Sequence, residues 1–325
     1  MFKKNLKTKL FSIKNFFSFI RFGESWRTDT FVGSKNFYII NKFLNFKENK
    51  KRKKIKNKLT ENLNTKINQN KGFAKFKLSE IKNYNLISNS LKKLRDDFNF
   101  VNWNEIERNS EKKYLLNKKL DLNEDVEKVV NFFLPVVSDY LGSLPLLIDF
   151  SYWYSPNKIE SNKGSQNWHL DHEDIKQIKI YIPIDKEINE ENGSMTFVGK
   201  KTTHEIFHKI QKKEKNLVRS KKIDDELFNQ KLSISDEVFK CKINPDEVFL
   251  IDTCNCYHYG SRKAYNPRKL LQMHFISKFS SSVPFIFTKK FKQDEIYENV
   301  ITNYNYSFSW LMTKYKLPWW KLKIY

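Results

Sequence analysis

Gln177-Ile178-Lys179-Ile180-Tyr181-Ile182-Pro183-Ile184 has a period of two. Ile178, Ile180 and Ile182 fall on one face of a strand; Gln177, Lys179 and Tyr181 fall on the other. Working outward, short strand-like runs recur on both sides. Leu146–Tyr154 is apolar and aromatic, and Gln166–His172 follows a glycine-containing turn. Asn192-Gly193 is a strong turn signal, after which Ser194–Val198 reads as a strand. Glu247–Asp252, Cys256–Gly260 and Arg268–Lys278 read as three more. Between them, residues 200–240 read as a charged, irregular insertion with helical pieces, where a lid over a barrel mouth would sit. Upstream, the spacing of Ile81, Leu86, Ile87, Leu91 and Leu94 predicts a helix over 78–97. A second helix is expected over 124–141, capped by Asn123, with Glu124, Asp125 and Glu127 in its first turn and Pro135 breaking or kinking it. Residues 293–320 are expected to be partly helical. Helices followed by many short strands imply an α+β chain: an antiparallel sandwich or open barrel with helices packed outside.

The 325 residues suffice for one large domain or two small ones. An aromatic content of 15% excludes wholesale disorder, 8 Gly and 8 Pro exclude a collagen-like repeat, and 3 Cys exclude a disulfide scaffold. No uncharged apolar run is long enough to span a membrane. The formal charge is +23, but it comes from 52 Lys and only 8 Arg, with Ala74 and Ala264 the sole alanines. That bias is the pattern of an AT-rich genome, so much of the charge reflects codon drift. Nucleic acid is therefore not the expected partner. Residues 1–70 hold 18 basic and 4 acidic side chains, densest at Lys50-Lys51-Arg52-Lys53-Lys54. They read as a basic N-terminal extension, partly disordered or surface-binding, ahead of a domain over 71–325; such runs usually stay solvated. Within residues 1–20, Phe2, Leu6, Leu10 and Phe17 interleave with lysines as in a basic helix lying on a membrane surface, which would allow peripheral membrane contact. Lys14 interrupts the apolar region, so a secretory signal is not expected and a cytoplasmic location is.

The chemistry concentrates in Trp168-His169-Leu170-Asp171-His172-Glu173-Asp174. Residues i and i+2 of a strand face the same way, so His169 and Asp171 can bind one ion; His172 and Asp174 have the same spacing. His258 follows on a later strand. Two histidines and a carboxylate that leave positions open form the facial triad of non-haem Fe(II) oxygenases. Arg268, ten residues past His258, is a fork-shaped cation suited to a carboxylate. Cys254, Cys256 and His258 share one strand face, but a single strand cannot readily wrap three ligands round a tetrahedral zinc. Lys179 is the one charge in the middle of its strand. It meets a carboxylate of co-substrate or substrate if its face lines the barrel mouth, and is solvated otherwise. Ser261 and Gln272 are further polar candidates, Arg262 reads as a loop residue, and His208 and His274 read as structural.

Taken in order, Trp168-His169-Leu170-Asp171, Glu191-Asn192-Gly193-Ser194-Met195-Thr196-Phe197-Val198, Asp252–Ser261 with His258, and Arg268 resemble the phytanoyl-CoA dioxygenase-like group of Fe(II)- and 2-oxoglutarate-dependent oxygenases. The likeness covers residues 150–278. It implies a double-stranded β-helix, the jelly-roll or cupin-like barrel, with flanking N-terminal and C-terminal helices. It implies His169, Asp171 and His258 as iron ligands, with Trp168 favouring this pair over His172 and Asp174. It implies 2-oxoglutarate as co-substrate with Arg268 on its distal carboxylate, O2 as oxidant, and a small-molecule, metabolite or lipid-like substrate. Asp171 stands where related halogenases have a small residue, so hydroxylation is the implied outcome. The sequence departs from the family at Gly199-Lys200-Lys201-Thr202-Thr203-His204, where a Pro-Gly-Ser-His turn is common. The rival readings are a nucleic-acid demethylase, with Arg262 and Arg268 as paired arginines, and a non-catalytic binding barrel.

Overall fold

The computed structural model describes residues 35, 38–39, 42–43, 45–121, 123–156, 164–213, 221–262 and 264–280. The amphipathic stretch in residues 1–20 and the helical segment expected over 293–320 lie outside them. Helix α1 (Phe46–Thr60) leads to strand β1 (Phe73–Lys77), helices α2 (Ser88–Asp97) and α3 (Trp103–Asn109), strand β2 (Leu116–Lys119) and helix α4 (Glu124–Leu141). Strands β3 (Pro145–Ser155), β4 (Gln177–Pro183) and β5 (Thr196–Val198) come next, then helices α5 (Lys200–Lys213) and α6 (Asp225–Asn229). Strands β6 (Val238–Lys240), β7 (Glu247–Ile251), β8 (His258–Tyr259) and β9 (Arg268–Ser277) complete the order. They form a six-stranded sheet, β1-β7-β4-β9-β3-β2, and a three-stranded sheet, β6-β5-β8. Every pairing is antiparallel.

The alternation in β4 decides both faces of the large sheet. Ile178, Ile180 and Ile182 pack with Phe150, Met273, Phe275 and Leu250 beneath the apolar stripes of α2 and α4, including Leu91, Leu94, Val129 and Phe133. The opposite face carries Lys179 across from His274 and Tyr181 across from Gln272. It turns inward rather than to solvent: Tyr181, Phe249 and Ile251 of the large sheet share a second core with Phe197 of β5. Gln177 and Tyr181 are accordingly buried.

Helix α4 starts as its residues dictate, with the Asn123 side chain accepting from the Val126 N–H, and ends at Gly142 in the left-handed region. Pro135 does not break it. The carbonyl left without a donor belongs to Asn131, an exposed residue, where water can serve. The single helix expected over 78–97 divides instead. Asn83 takes a left-handed φ of 70° between two short 3-10 turns, and only Ser88–Asp97 is α-helical. Gln166–His172 is likewise no regular strand: a 3-10 turn at Gly164–Gln166 precedes bridges from Trp168 to Ile223 and from His169 to His258. Within 200–240, the described residues 200–213 and 221–240 are more regular than their charge suggested. Ile206, Phe207 and Ile210 of α5 are buried with Trp168 and Tyr257, and β6 pairs with β5.

The basic run Lys50–Lys54 lies within α1, and it is not solvated throughout. Arg52 is 2% exposed. It donates from Nε to Glu48 and from Nη1 to the carbonyls of Leu144 and Pro145 at the start of β3. Glu48 also pairs with buried Lys278 at 3.2 Å. Charge density alone cannot distinguish this one anchored arginine from its solvated neighbours. Among the described residues, no helix is long and apolar enough to cross a membrane.

Candidate metal site

His169 and His258 are brought together by backbone pairing. Each donates its N–H to the other's carbonyl, at 3.0 and 3.1 Å, and the ring centroids stand 4.3 Å apart. Asp171 is fixed two residues on, its N–H donating to the Thr253 carbonyl. His169 Nδ1 lies 2.8 Å from the Asn167 carbonyl and His258 Nδ1 lies 2.9 Å from the Cys256 carbonyl. A carbonyl can only accept, so both protons sit on Nδ1 and both Nε2 lone pairs are left for a metal. These Nε2 atoms lie 3.8 and 3.9 Å from the Asp171 carboxylate oxygens. Ligand atoms from all three residues fall within 4.8 Å of one another, the one such metal-capable group among the described residues.

The electrostatics keep this donor set ready. Burial, followed by the neighbouring imidazole, holds the His169 pKa well below the usual range. Burial likewise lowers His258 to about 4, so both rings are neutral at pH 7. For Asp171 burial works against the charge, but Lys179 and the two imidazoles outweigh it and hold its pKa down. Lys179 Nζ donates to Asp171 Oδ2 at 2.7 Å, and Gln177 Nε2 donates to the same oxygen at 3.1 Å and to Thr253 Oγ1 at 2.6 Å. Burial opposes the Lys179 charge as well, yet the adjacent carboxylate raises its pKa overall.

The approach to His258 is built on Asp252. This fully buried carboxylate accepts from the Tyr140 hydroxyl at 2.7 Å, from Asn255 Nδ2 at 2.8 Å and from the Gln177 N–H at 3.3 Å. Its own carbonyl accepts from the N–H groups of Asn255 and Cys256, closing the turn that leads into β8. Cys254 and Cys256 are buried, form no disulfide and take no part in the triad.

Arg268 lines the same cavity, whose volume is about 180 Å³. It is 7% exposed, and its guanidinium donates to the Gly193 carbonyl at 2.7 Å and to Ser261 Oγ. Among the described residues it has no carboxylate partner, and burial lowers its pKa to about 10. Ser261, at the positive φ of 57°, is held by its N–H to the Gly193 carbonyl and by its carbonyl from Gln166 Nε2. The guanidinium packs beside Gly260, where a Cβ would stand 3.4 Å from Arg268 Nη1, an ordinary van der Waals contact. A buried cation without an anion is costly, and a free carboxylate in this cavity would satisfy it. Tyr181 lines the cavity too, neutral because burial pushes its pKa up to about 12.

The structure thus brings His169, Asp171, His258, Lys179, Ser261 and Arg268 to one cavity. Within it, Lys179 sits on Asp171 while Ser261 sits on Arg268. The alternative pair separates: His172 is exposed, and Asp174 accepts from the N–H groups of Ile175 and Ser277. Arg262 is engaged elsewhere, forked onto Asp225 at 2.7 and 2.8 Å and stacked on Tyr259, which removes the paired-arginine arrangement of the nucleic-acid reading. His204 contacts Asn255 and not the triad. Gln177 and Asp252 were not singled out from the sequence; the signal for Gln177 was its place two residues before Lys179 on the same face. A wider groove of about 760 Å³ between α1 and α4 carries none of these groups.

No protein-family model and no curated protein matches the chain. Solved structures that resemble it include the epimerase SnoN in complex with Fe3+, alpha-ketoglutarate and nogalamycin RO (10% identity, 64% of this chain and 80% of that one, TM-score 0.41). EctD from S. alaskensis is 14% identical over 64% of this chain and 74% of its own, with a TM-score of 0.43. HygX from Streptomyces hygroscopicus, with nickel and 2-oxoglutarate bound, is 13% identical over 65% and 84%, with a TM-score of 0.41. Likenesses this distant assign no activity to this chain, which has to be argued from its own site.

Proposed function

We propose that the chain is an Fe(II)- and 2-oxoglutarate-dependent dioxygenase of the phytanoyl-CoA dioxygenase-like type, hydroxylating a small metabolite or lipid-like molecule. In this reading the two antiparallel sheets are the halves of a jelly-roll. The observation that carries it is the pairing, in one cavity, of a His-Asp-His group whose Nε2 atoms are not taken by backbone carbonyls with a buried arginine that has no counter-charge among the described residues. The donor set of two neutral imidazoles and one carboxylate suits Fe(II) and leaves further positions open. When bound, the metal and 2-oxoglutarate together supply activation of dioxygen toward a C–H bond.

The protein's part is positional. His169, Asp171 and His258 hold the metal. Lys179 and Gln177 fix Asp171 through Oδ2, so the carboxylate stays ionised and does not rotate away. Arg268, steadied by Ser261 and the Gly193 carbonyl, takes the distal carboxylate of the co-substrate as a forked pair. Ser261 and Lys179 are the further polar contacts this cavity offers to 2-oxoglutarate. Trp153, Ile188, Met195 and Ile243 form an apolar part of the lining that excludes water from the reacting centre. Asp171 occupies the third protein position, which favours hydroxylation over halogenation. A cytoplasmic enzyme with a small-molecule substrate fits this chemistry. The test is release of succinate and CO2 from 2-oxoglutarate by Fe(II)-loaded protein in air. Turnover lost in His169→Ala and His258→Ala supports the proposal; equal turnover in both variants refutes it.

A further inference from the structure

The charge of the cavity says something about the substrate. On the reading above, one Fe(II) and one doubly negative 2-oxoglutarate cancel each other. Among the protein groups inside, Asp171 offsets Lys179, and Arg268 remains in excess. The mouth adds more positive charge. Lys112 lines the cavity without forming an ion pair among the described residues. Its backbone is pinned, the N–H donating to Ser110 Oγ and the carbonyl accepting from Leu115. Lys222 stands beside the metal-binding stretch because its neighbour Ile223 pairs with Trp168 in both directions at 2.8 and 3.0 Å. It is close enough to Asp171, Lys179, Glu173 and Lys112 to feel their charges, and it too forms no ion pair among the described residues. Asp171 and Glu173 are the acids whose charges reach Lys222, and Asp171 is already paired with Lys179, so Lys112, Lys222 and Arg268 outnumber Glu173 and the mouth remains positive with metal and co-substrate in place.

A second observation is independent of charge. Trp153 lines the cavity, and its indole Nε1 is buried with no hydrogen-bond partner among the described residues. An indole N–H can only donate, so it is satisfied only by an acceptor. Ile188, Met195, Ile243 and Leu270 give the cavity an apolar side, beside the polar Ser165 and Tyr181.

We propose that the substrate is a small molecule with an apolar body and one anionic group, a carboxylate or phosphate, held by Lys112 and Lys222 with the Trp153 indole as a further donor. This rests on the dioxygenase reading for the contents of the cavity, and the experiment separates the two. Full-length protein loaded anaerobically with Fe(II) and 2-oxoglutarate is titrated calorimetrically with hexanoate, hexyl phosphate, hexanamide and hexylamine. The proposal expects one or both anions to bind at least tenfold more tightly than the amine. It expects that preference to vanish in Lys112→Gln/Lys222→Gln, and Trp153→Phe, which keeps the apolar wall, to weaken the anion several-fold. The stronger of hexanoate and hexyl phosphate identifies the anionic group. Anions that bind no better than hexylamine overturn the proposal, as does a preference that survives in the double variant. The affinity for 2-oxoglutarate, read from visible absorbance of the same samples, must not account for the effect. A parallel tenfold loss there means the lysines serve the co-substrate and overturns the proposal as well. Failure of the dioxygenase reading has a different signature: wild type shows no 2-oxoglutarate-dependent absorbance, however the anions bind.

Discussion

Replacing Arg268 by Met separates a ligand-binding arginine from a structural one. The guanidinium is buried without a carboxylate partner among the described residues, and burial lowers its pKa from 12.5 to about 10. That shift corresponds to about 3 kcal/mol of unfavourable charge burial in the empty protein. Against it stand two hydrogen bonds from the charged group, to the Gly193 carbonyl and to Ser261 Oγ, worth roughly 1.5–3 kcal/mol each. These effects nearly cancel. Arg268→Met is therefore expected to stay within about 1–3 kcal/mol of wild type in urea unfolding without ligand. Its co-substrate affinity behaves differently. Removing one partner of a buried, hydrogen-bonded charge pair costs about 3 kcal/mol, or roughly 150-fold in affinity. The assay is anaerobic titration of the Fe(II)-loaded variant with 2-oxoglutarate, beside urea unfolding of the metal-free protein. Unchanged affinity together with a stability loss above about 4 kcal/mol would show that Arg268 supports the fold and would refute the argument.

Other perturbations test the remaining links. Lys179→Met leaves the Asp171 carboxylate without its cation, so the metal-free protein should lose about 3 kcal/mol. Saturating Fe(II) should restore most of that loss, and a thermal melt in which metal raises the variant no more than wild type contradicts it. His258 has a folded pKa of about 4 against 6.5 when unfolded, so the unfolded chain binds the extra proton. Its contribution to stability is present above pH 6.5 and lost as pH falls toward 4, amounting to about 2 kcal/mol between pH 7 and 5. Urea unfolding of metal-free wild type and His258→Asn should therefore show a shallower pH dependence in the variant; parallel curves would contradict the burial argument. Arg52→Ala leaves Glu48 and Lys278 as a remnant pair and frees the carbonyls of Leu144 and Pro145. A loss of about 3 kcal/mol is expected, and a change below about 0.5 kcal/mol would mean that α1 is not anchored through this residue.

What the sequence revealed follows from how local each signal is. The period of two in β4 and the Asn123 cap of α4 are written in neighbouring residues, and both appear in the structure at those positions. The His169–Asp171 spacing places both side chains at one site because their backbone N–H groups are tied to His258 of β8 and to Thr253 in the turn that precedes it. Other features depend on distant partners. Whether Lys179 faced solvent or a carboxylate was open in the sequence, since the answer depends on how Asp171, eight residues earlier, folds back onto β4. The burial of Arg52 depends on carbonyls about 90 residues away. Asn83 illustrates a local failure: the apolar spacing around it suits a helix, but its left-handed backbone ends one turn and begins another. The packing role of Trp168 depends on α6, where Phe228 stacks on it at 3.8 Å and so fastens residues 221–230 against the metal-binding stretch.

The most direct test of the central claim is an anaerobic titration of metal-free protein with Fe(II) and then 2-oxoglutarate, followed by visible absorbance in wild type and His258→Ala. The account predicts a weak charge-transfer band that saturates with 2-oxoglutarate in wild type and is absent from the variant. Folded wild-type protein that shows no band at any concentration, or a band equally strong in His258→Ala, would contradict it.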